Sequence, residues 1–312
     1  MNESKKILVV GNATLDLIFQ GQIFSERKQG DRLSLAYGGK YVVDKMFHSF
    51  GGGGANASVS LARQGLDVTL LARIATDHFG SLILKNLQEN QVKTDWIQLD
   101  LADTAMSAIL LDNDGQRTII NYRSDSDNLR YDQNLTSQLE QFGWLALFSL
   151  PRWPKQEKLK LLQNAKEKGL KIFLSLHGDE YRKGWDWVKD YLGFCDILDL
   201  NIYEMASLMG KKEADLNPQK ENYAKIINVP LIIVTHDKQG SYFYSPSDKF
   251  WQDPLDAKRI DTTGAGDAFA SGFLGKYIKT ADPKIAMDFA AHNAKAEIEV
   301  MGAQAGLLVD KD

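Results

Sequence analysis

Asp261-Thr262-Thr263-Gly264-Ala265-Gly266-Asp267-Ala268-Phe269 is the stretch that decides how this chain reads. Gly264, Ala265 and Gly266 run directly into an acidic residue that opens an amphipathic segment, where Phe269, Phe273, Leu274, Tyr277 and Ile278 recur at helical spacing. The spacing predicts a helix starting near Asp267. A glycine-rich turn at a helix N-terminus aims several backbone N–H groups at one point, and the helix dipole adds partial positive charge there. Such a turn suits a phosphate or a developing oxyanion. A carboxylate in the same first turn is ordinarily a cap, but beside an anion site it can also take a proton from an attacking hydroxyl. An anion hole touching a general base is an arrangement for phosphoryl transfer.

Outward from this stretch, short apolar runs recur at 6–10, 68–74, 144–150, 171–176, 196–200 and 231–235. Helical patterns lie between them at 55–64, 78–90, 156–168, 203–209 and 219–227. The alternation predicts an α/β fold, a mainly parallel central sheet with helices on both faces and ligands at the carboxyl ends of the strands. Two segments break it. Residues 17–50 lack a good helix pattern, and the runs 106–111 and 117–122 flank Asp112-Asn113-Asp114-Gly115, a strong hairpin signal. The segments at about 17–50 and 104–123 are expected to form a small β-sheet lid, whose apolar face needs cover and could join two copies as a homodimer.

A second string, Phe50-Gly51-Gly52-Gly53-Gly54-Ala55-Asn56-Ala57 with Leu61-Ala62-Arg63-Gln64-Gly65, stands near the N-terminus. Together and in this order the two strings resemble the signatures of the PfkB/ribokinase family of sugar and nucleoside kinases, a likeness running from the first strand to about Gly302. The resemblance implies a ribokinase-like three-layer α/β/α sandwich as one domain over residues 1–312, with the lid beside it. It implies ATP as phosphate donor, with Mg²⁺. At the matching positions Asp267 is expected to be the base, and the amides of Gly264, Ala265 and Gly266 to stabilise the transferred phosphoryl group. Asp16, in Gly11-Asn12-Ala13-Thr14-Leu15-Asp16, is expected to accept from two hydroxyls of a polyol. Asn12, Asn56 and the backbone of Gly52 and Gly53 would complete the acceptor pocket. Asn201 and Glu204 match an N-x-x-E motif that meets hydrated Mg²⁺ through water, although the same pair is nearly a capping box. Thr235 and Gly240 match a nucleotide contact in which Asp237 stands where the family usually has Gly. Asp261 and Thr263, with carbonyls near Gly302, resemble a monovalent-cation loop for K⁺.

Further candidates are single side chains. Arg123, at the end of the hairpin, can pair with a phosphate on the acceptor or reach ATP across the site. His177 ends an apolar run and could line either pocket. His292 or Asn293, on a small-residue helix, could touch the edge of an adenine ring. Ribose-specific members of the family carry Lys where this chain has Gly53 and Asn where it has Thr14, so the acceptor is expected to be another sugar or a nucleoside. A non-catalytic binding relative is the remaining alternative, against which the intact Asp267, Gly264–Gly266 and Asn201/Glu204 speak.

The bulk properties exclude several classes. A net charge of -4 over 312 residues, with no long basic block, argues against nucleic-acid binding. No apolar run is long enough to span a membrane, and the start of the chain enters a strand without a signal-peptide pattern. Cys195 is the single cysteine, so no internal disulfide can form, and the five histidines show no ligand spacing. A cytoplasmic enzyme is expected.

Overall fold

The computed structural model describes residues 5–30, 32–101, 103–124, 128–148, 150–176 and 178–310. The first strand, Lys6–Val10 (β1), shows why the apolar runs are continuous rather than alternating. Leu8 and Val10 enter one buried cluster and Ile7 and Val9 the other, so both faces of the strand are covered.

The remaining elements follow in chain order: Thr14–Gln20 (β2), Lys45–Gly51 (β3), Gly53–Arg63 (α1), Asp67–Leu71 (β4), His78–Glu89 (α2), Met106–Leu111 (β5), Arg117–Tyr122 (β6), Trp144–Leu147 (β7), Lys155–Glu167 (α3), Lys171–Ser175 (β8), Trp185–Leu192 (α4), Ile197–Asn201 (β9), Ile202–Met209 (α5), Tyr223–Ile227 (α6), Leu231–Thr235 (β10), Ser241–Tyr244 (β11), Lys249–Gln252 (β12), Ala265–Thr280 (α7) and Pro283–Ile298 (α8). The central sheet runs β12-β11-β10-β9-β8-β7-β1-β4. From β4 to β10 all pairings are parallel, and β11 and β12 extend one edge antiparallel. Residues of α3, α4, α5 and α6 pack into the cluster on one face. Residues of α1, α2, α7 and α8 pack into that on the other. This is the three-layer α/β/α arrangement expected from the sequence.

The lid is a separate four-stranded sheet in the order β6-β5-β2-β3. β2 pairs parallel with β5 and antiparallel with β3, so Asp16 lies opposite both Ser107 and Ser49. Alternation puts Asp16, Ile18 and Ile109 on the face toward the central domain and Phe19, Met46, Leu110 and Ile120 on the other. Met46 and Ile120 are exposed there.

Three details differ from the sequence reading. The run at 68–74 divides into β4 and a short strand, Arg73–Ala75, which leaves the central sheet to pair with Gln98–Asp100. The helical pattern at 219–227 is realised only from Tyr223, because the Asn222 side chain accepts from the Lys225 N–H and caps the helix there. β12 and α4 lacked a recognisable run. The helix α7 is rich in small residues because it packs closely: a Cβ on Gly275 would lie 2.2 Å from Oε1 of Gln64, the C-cap of α1. Among the described residues no helix is long and apolar enough to cross a membrane.

Away from the strand ends, Lys158 Nζ of α3 meets Glu180 Oε1 at 2.6 Å with both side chains almost fully buried. Removing one partner of such a pair leaves an uncompensated buried charge. Lys158→Met is therefore expected to lower stability by about 3–5 kcal/mol in urea denaturation, and adding Glu180→Leu to restore most of the loss.

Candidate active site

Gly264 has φ +84° and is the N-cap of α7, which begins at Ala265, two residues before the spacing placed it. A side chain at 264 would be strained, and its Cβ would lie 2.6 Å from that of Ala303. The first N–H groups of α7 have no intrahelical partners, and that of Ala265 reaches back to the Thr262 carbonyl at 3.4 Å. Asp267 is the third residue of the helix and sits in the same turn.

Two cavities meet on this turn. The smaller, about 280 Å³, lies under the lid and is lined by Asn12, Asp16, Gly52, Gly53, Asn56 and Asp267 together with Thr263 and Gly264. The larger, about 810 Å³, lies on the other side and is lined by Thr235, Gly240, Ala265, Gly266 and Phe269 among others. The loop 262–267 is thus the shared wall, with Gly264 facing one cavity and Ala265 and Gly266 the other.

In the smaller cavity the Asn56 Nδ2 donates to Asp267 Oδ2 at 2.8 Å. Burial pushes the Asp267 carboxyl above its usual range, and the Asn56 hydrogen bond opposes that rise. Asn56, expected only as a pocket wall, is therefore also a direct partner of the acid. Asp16 is buried, and burial raises its pKa too; a Ser107 hydrogen bond lowers it and the charge of Asp261 raises it. Gly51 leaves space for this carboxylate, since a Cβ there would lie 2.6 Å from Asp16 Oδ2. Asn12 Oδ1 is buried without a hydrogen-bond partner, an acceptor available to a ligand hydroxyl. Gly52 has φ +92° and brings the backbone within reach of Asn12. Arg123 is exposed on the lid side of the same cavity.

On the other side, Asn201 and Glu204 form the full capping box of α5: Asn201 Oδ1 accepts from the Glu204 N–H and Glu204 Oε2 from the Asn201 N–H, both at 2.9 Å. The helix cap weighed in the sequence is therefore present, and Glu204 Oε1 is the oxygen outside it. Burial lifts the Glu204 carboxyl to about 7, against the Asn201 backbone hydrogen bond. Burial likewise lifts Asp199, a residue of β9, to about 8, although Ser175 donates to it. Among the described residues no cluster of three His, Cys, Asp or Glu could hold a metal alone. The pair fits Mg²⁺ only as an outer contact to an ion that arrives with phosphate. Asp237, the departure from the family pattern, receives the Tyr203 hydroxyl at 3.2 Å, so one of its oxygens is engaged away from a phosphate.

Other residues are placed differently from their sequence expectation. Asn293 is fully buried, donating to Ser60 Oγ and the Ala268 carbonyl and accepting from the Leu308 N–H. Its amide is used in helix packing, so no group is left for adenine. His292 points to solvent with Nδ1 against the Asp288 carbonyl. Neither lines the larger cavity, whereas their neighbours Ala291, Ala294 and Lys295 do. His177 lies outside the described residues. The Asp261 and Thr263 side chains, expected in a K⁺ loop, are engaged with each other and with the lid. Asp261 Oδ1 accepts from the Thr263 N–H, the Thr263 hydroxyl and Arg117 Nη1, and Oδ2 from the Gly302 N–H. Oδ1 thus takes three of the contacts and Oδ2 one, and Arg117 of the lid supplies the balancing charge at 3.1 Å. Arg117, Tyr203 and Gln304 escaped sequence reasoning; nothing in local spacing signals contacts made across the fold.

The family model described as "pfkB family carbohydrate kinase" matches residues 4–310. The bifunctional ribokinase/ribose-5-phosphate isomerase A of Fructilactobacillus sanfranciscensis is 26% identical over 309 residues, covering 96% of this chain and 54% of the relative, so the chain spans about half of that protein. The nucleoside kinase of Methanothermobacter thermautotrophicus is 23% identical over 308 residues, with 98% of this chain and 94% of the relative covered. The structure of Arabidopsis thaliana ribokinase complexed with ribose and ATP superposes with a TM-score of 0.81 at 21% identity, covering 99% of this chain and 97% of that one. The last likeness concerns the fold.

Glu204, Asp199 and Glu297 (lifted to about 8, chiefly by burial) are each held above their unfolded values of 4.5, 3.8 and 4.5. The folded state then binds these protons more tightly than the unfolded chain. Their contribution is fully present below about pH 4 and is lost as pH rises through 7 and 8. The thermal midpoint of the ligand-free protein is expected to fall between about pH 4 and 8, and Glu204→Gln to flatten the part of the fall between about pH 4.5 and 7.

Proposed function

The chain belongs to the pfkB family and is a carbohydrate kinase; we propose that it moves the γ-phosphate of ATP to a hydroxyl of a small sugar-like acceptor held in the lid-side cavity. The observation that carries this reading is the shared wall: one glycine-rich helix start separates a polyol-sized cavity from a nucleotide-sized one, with a carboxylate beside it. In this reading Asp16 and Asn12 accept hydrogen bonds from the acceptor's hydroxyls. Asp267, with Oδ2 occupied by Asn56, uses its other oxygen to take the proton of the attacking hydroxyl. The N–H groups of Gly264, Ala265 and Gly266 stabilise charge on the group in transit, each such donor being worth about 10²–10³ in rate. Thr235 and Gly240 border the nucleotide, and Phe269, Ala291 and Ala294 offer the apolar slot for its base. Asn201 and Glu204 would meet the waters of a Mg²⁺ ion, which would supply charge neutralisation at the phosphates. The lid excludes water that would otherwise hydrolyse ATP.

Arg123 faces the acceptor in this arrangement and suits an anionic group on it. A nucleoside acceptor is the second reading, favoured by the apolar wall of Met106, Ile109, Ile119 and Tyr122, against which a base can lie. The buried lone cysteine and ATP dependence accord with a cytoplasmic enzyme.

The panel of acceptors for this test comprises sugars, sugar phosphates and nucleosides, with ADP release from Mg·ATP as the readout. One acceptor is expected to stimulate wild type, and Asp267→Asn to lose about 10²-fold or more with that acceptor. Unchanged activity in Asp267→Asn contradicts the role of the base. The outer lid face, with Met46 and Ile120 exposed, fits a second copy of this chain. Ile120→Lys is expected to convert a two-chain mass to a one-chain mass in light scattering, and a wild type already of one-chain mass contradicts the dimer.

A further inference from the structure

Asp267 is the end of a chain of hydrogen bonds that runs through the core to a cation. Its Oδ2 accepts from Asn56 Nδ2 at 2.8 Å. Asn56 Oδ1 accepts from Gln304 Nε2 at 3.0 Å. Gln304 Oε1 accepts from Asn86 Nδ2 at 2.8 Å. Asn86 Oδ1 accepts from Asn90 Nδ2 at 3.4 Å, and the same nitrogen reaches the Asn86 carbonyl at 2.9 Å. Asn90 Oδ1 accepts from Arg63 Nε at 3.0 Å. Arg63 is itself clamped, since its Nη1 donates to the carbonyls of Gln304 and Leu307 at 2.8 and 3.1 Å.

The ends of this chain set its direction. A guanidinium can only donate, and an ionised carboxylate can only accept. Every amide between them is therefore turned with its oxygen toward Arg63 and its nitrogen toward Asp267. Asn56 and Gln304 are buried, so neither can exchange this arrangement for water. Were Asn56 to flip, its oxygen would face the Asp267 carboxylate, two acceptors in contact.

We propose that Gln304, Asn86, Asn90 and Arg63 act as a one-way amide relay, positioning residues that hold the Asn56 N–H on Asp267 and so keep the base ionised with its other oxygen free for the acceptor hydroxyl. The inference rests on the reading of Asp267 as the base. Charged groups on the other elements around Asp267 are Asp16 and Arg123 across the cavity, Asp199 of β9 and Glu297 of α8. Asp199 and Glu297 are themselves held protonated up to about 8, so what opposes the ionisation of Asp267 is burial. Among the described residues only Asn56 donates a hydrogen bond to its side chain. Burial pushes the proton on, and the relay holds it off.

The acid limb of the kcat/KM profile, with Mg·ATP and the acceptor that stimulates wild type, reads the relay. Gln304→Met cuts it without adding charge. Asn86→Asp reverses it, because a carboxylate accepts from Gln304 and turns the next two amides around. Each is expected to move the acid limb up by about one pH unit, the effect of losing a hydrogen bond to the charged form, with activity recovering at high pH and the KM for ATP unchanged. The double variant is expected to move it no further than Gln304→Met, since a cut relay cannot transmit the reversal. Additive shifts would mean that the carboxylate introduced by Asn86→Asp acts through space, and an unmoved limb that the amides are structural; either overturns the relay. Should Gln304→Met not fold, Asn86→Leu removes the donor without charge and is expected to move the limb in the same direction. Asp267→Asn tells the two readings apart. If it loses activity while the relay variants leave the limb unmoved, the relay alone fails; if it keeps activity, the base reading fails and the relay with it.

Discussion

The hydrogen bond from Asn56 to Asp267 is the contact on which the site depends. It joins the first turns of two helices, α1 and α7, that come from opposite ends of the chain. Both helices start at glycine-rich turns, and both starts face the same place. A carboxylate placed there is pulled two ways: burial favours its neutral form, while the amide donor favours the charged one. The base proposed at Asp267 has to be ionised before it can accept a proton, and the proposed transfer beside it has to be shielded from water. The Asn56 contact reconciles the two requirements, by supplying inside the protein the donor that water would have supplied outside.

The same loop also links the lid to the start of α7. Asp261, at the start of the turn, takes the guanidinium of Arg117 from the lid hairpin and the N–H groups of Thr263 and Gly302 from the central domain. The carboxylate thus ties the backbone conformation ahead of Gly264 to the position of β6. Movement of the lid hairpin would strain or release this tie. The turn ahead of α7 and the lid sheet are in this way held as one unit, with the smaller cavity between them.

Much of the fold was legible because it is locally encoded. The buried parallel strands read as apolar runs, and Asp112-Asn113-Asp114-Gly115 marked the lid hairpin through its turn chemistry alone. The glycine strings were legible for the same reason: Gly264 and Gly52 occupy positive φ, a demand that acts on single residues. Asn201 and Glu204 were legible as a pair, and the structure shows the capping box that was one of their two readings. What the sequence could not show are contacts between residues far apart in it. Gln304 reaches Asn56 across 248 positions and Arg117 reaches Asp261 across 144, and no periodicity relates them. Asn293 misled because small residues around it suit an adenine slot and close helix packing equally; only the three partners of its amide decide for packing.

With Asp267 accepting only a proton, as proposed, the phosphoryl group passes directly from nucleotide to acceptor. A carboxylate in this position could instead attack phosphorus itself and carry the group as an acyl phosphate. The stereochemistry at phosphorus separates the two. With ATP made chiral at the γ-phosphorus by oxygen isotopes and sulfur, one in-line displacement inverts the configuration and two restore it. Inversion is expected in the phosphorylated acceptor, and retention would rule out direct transfer.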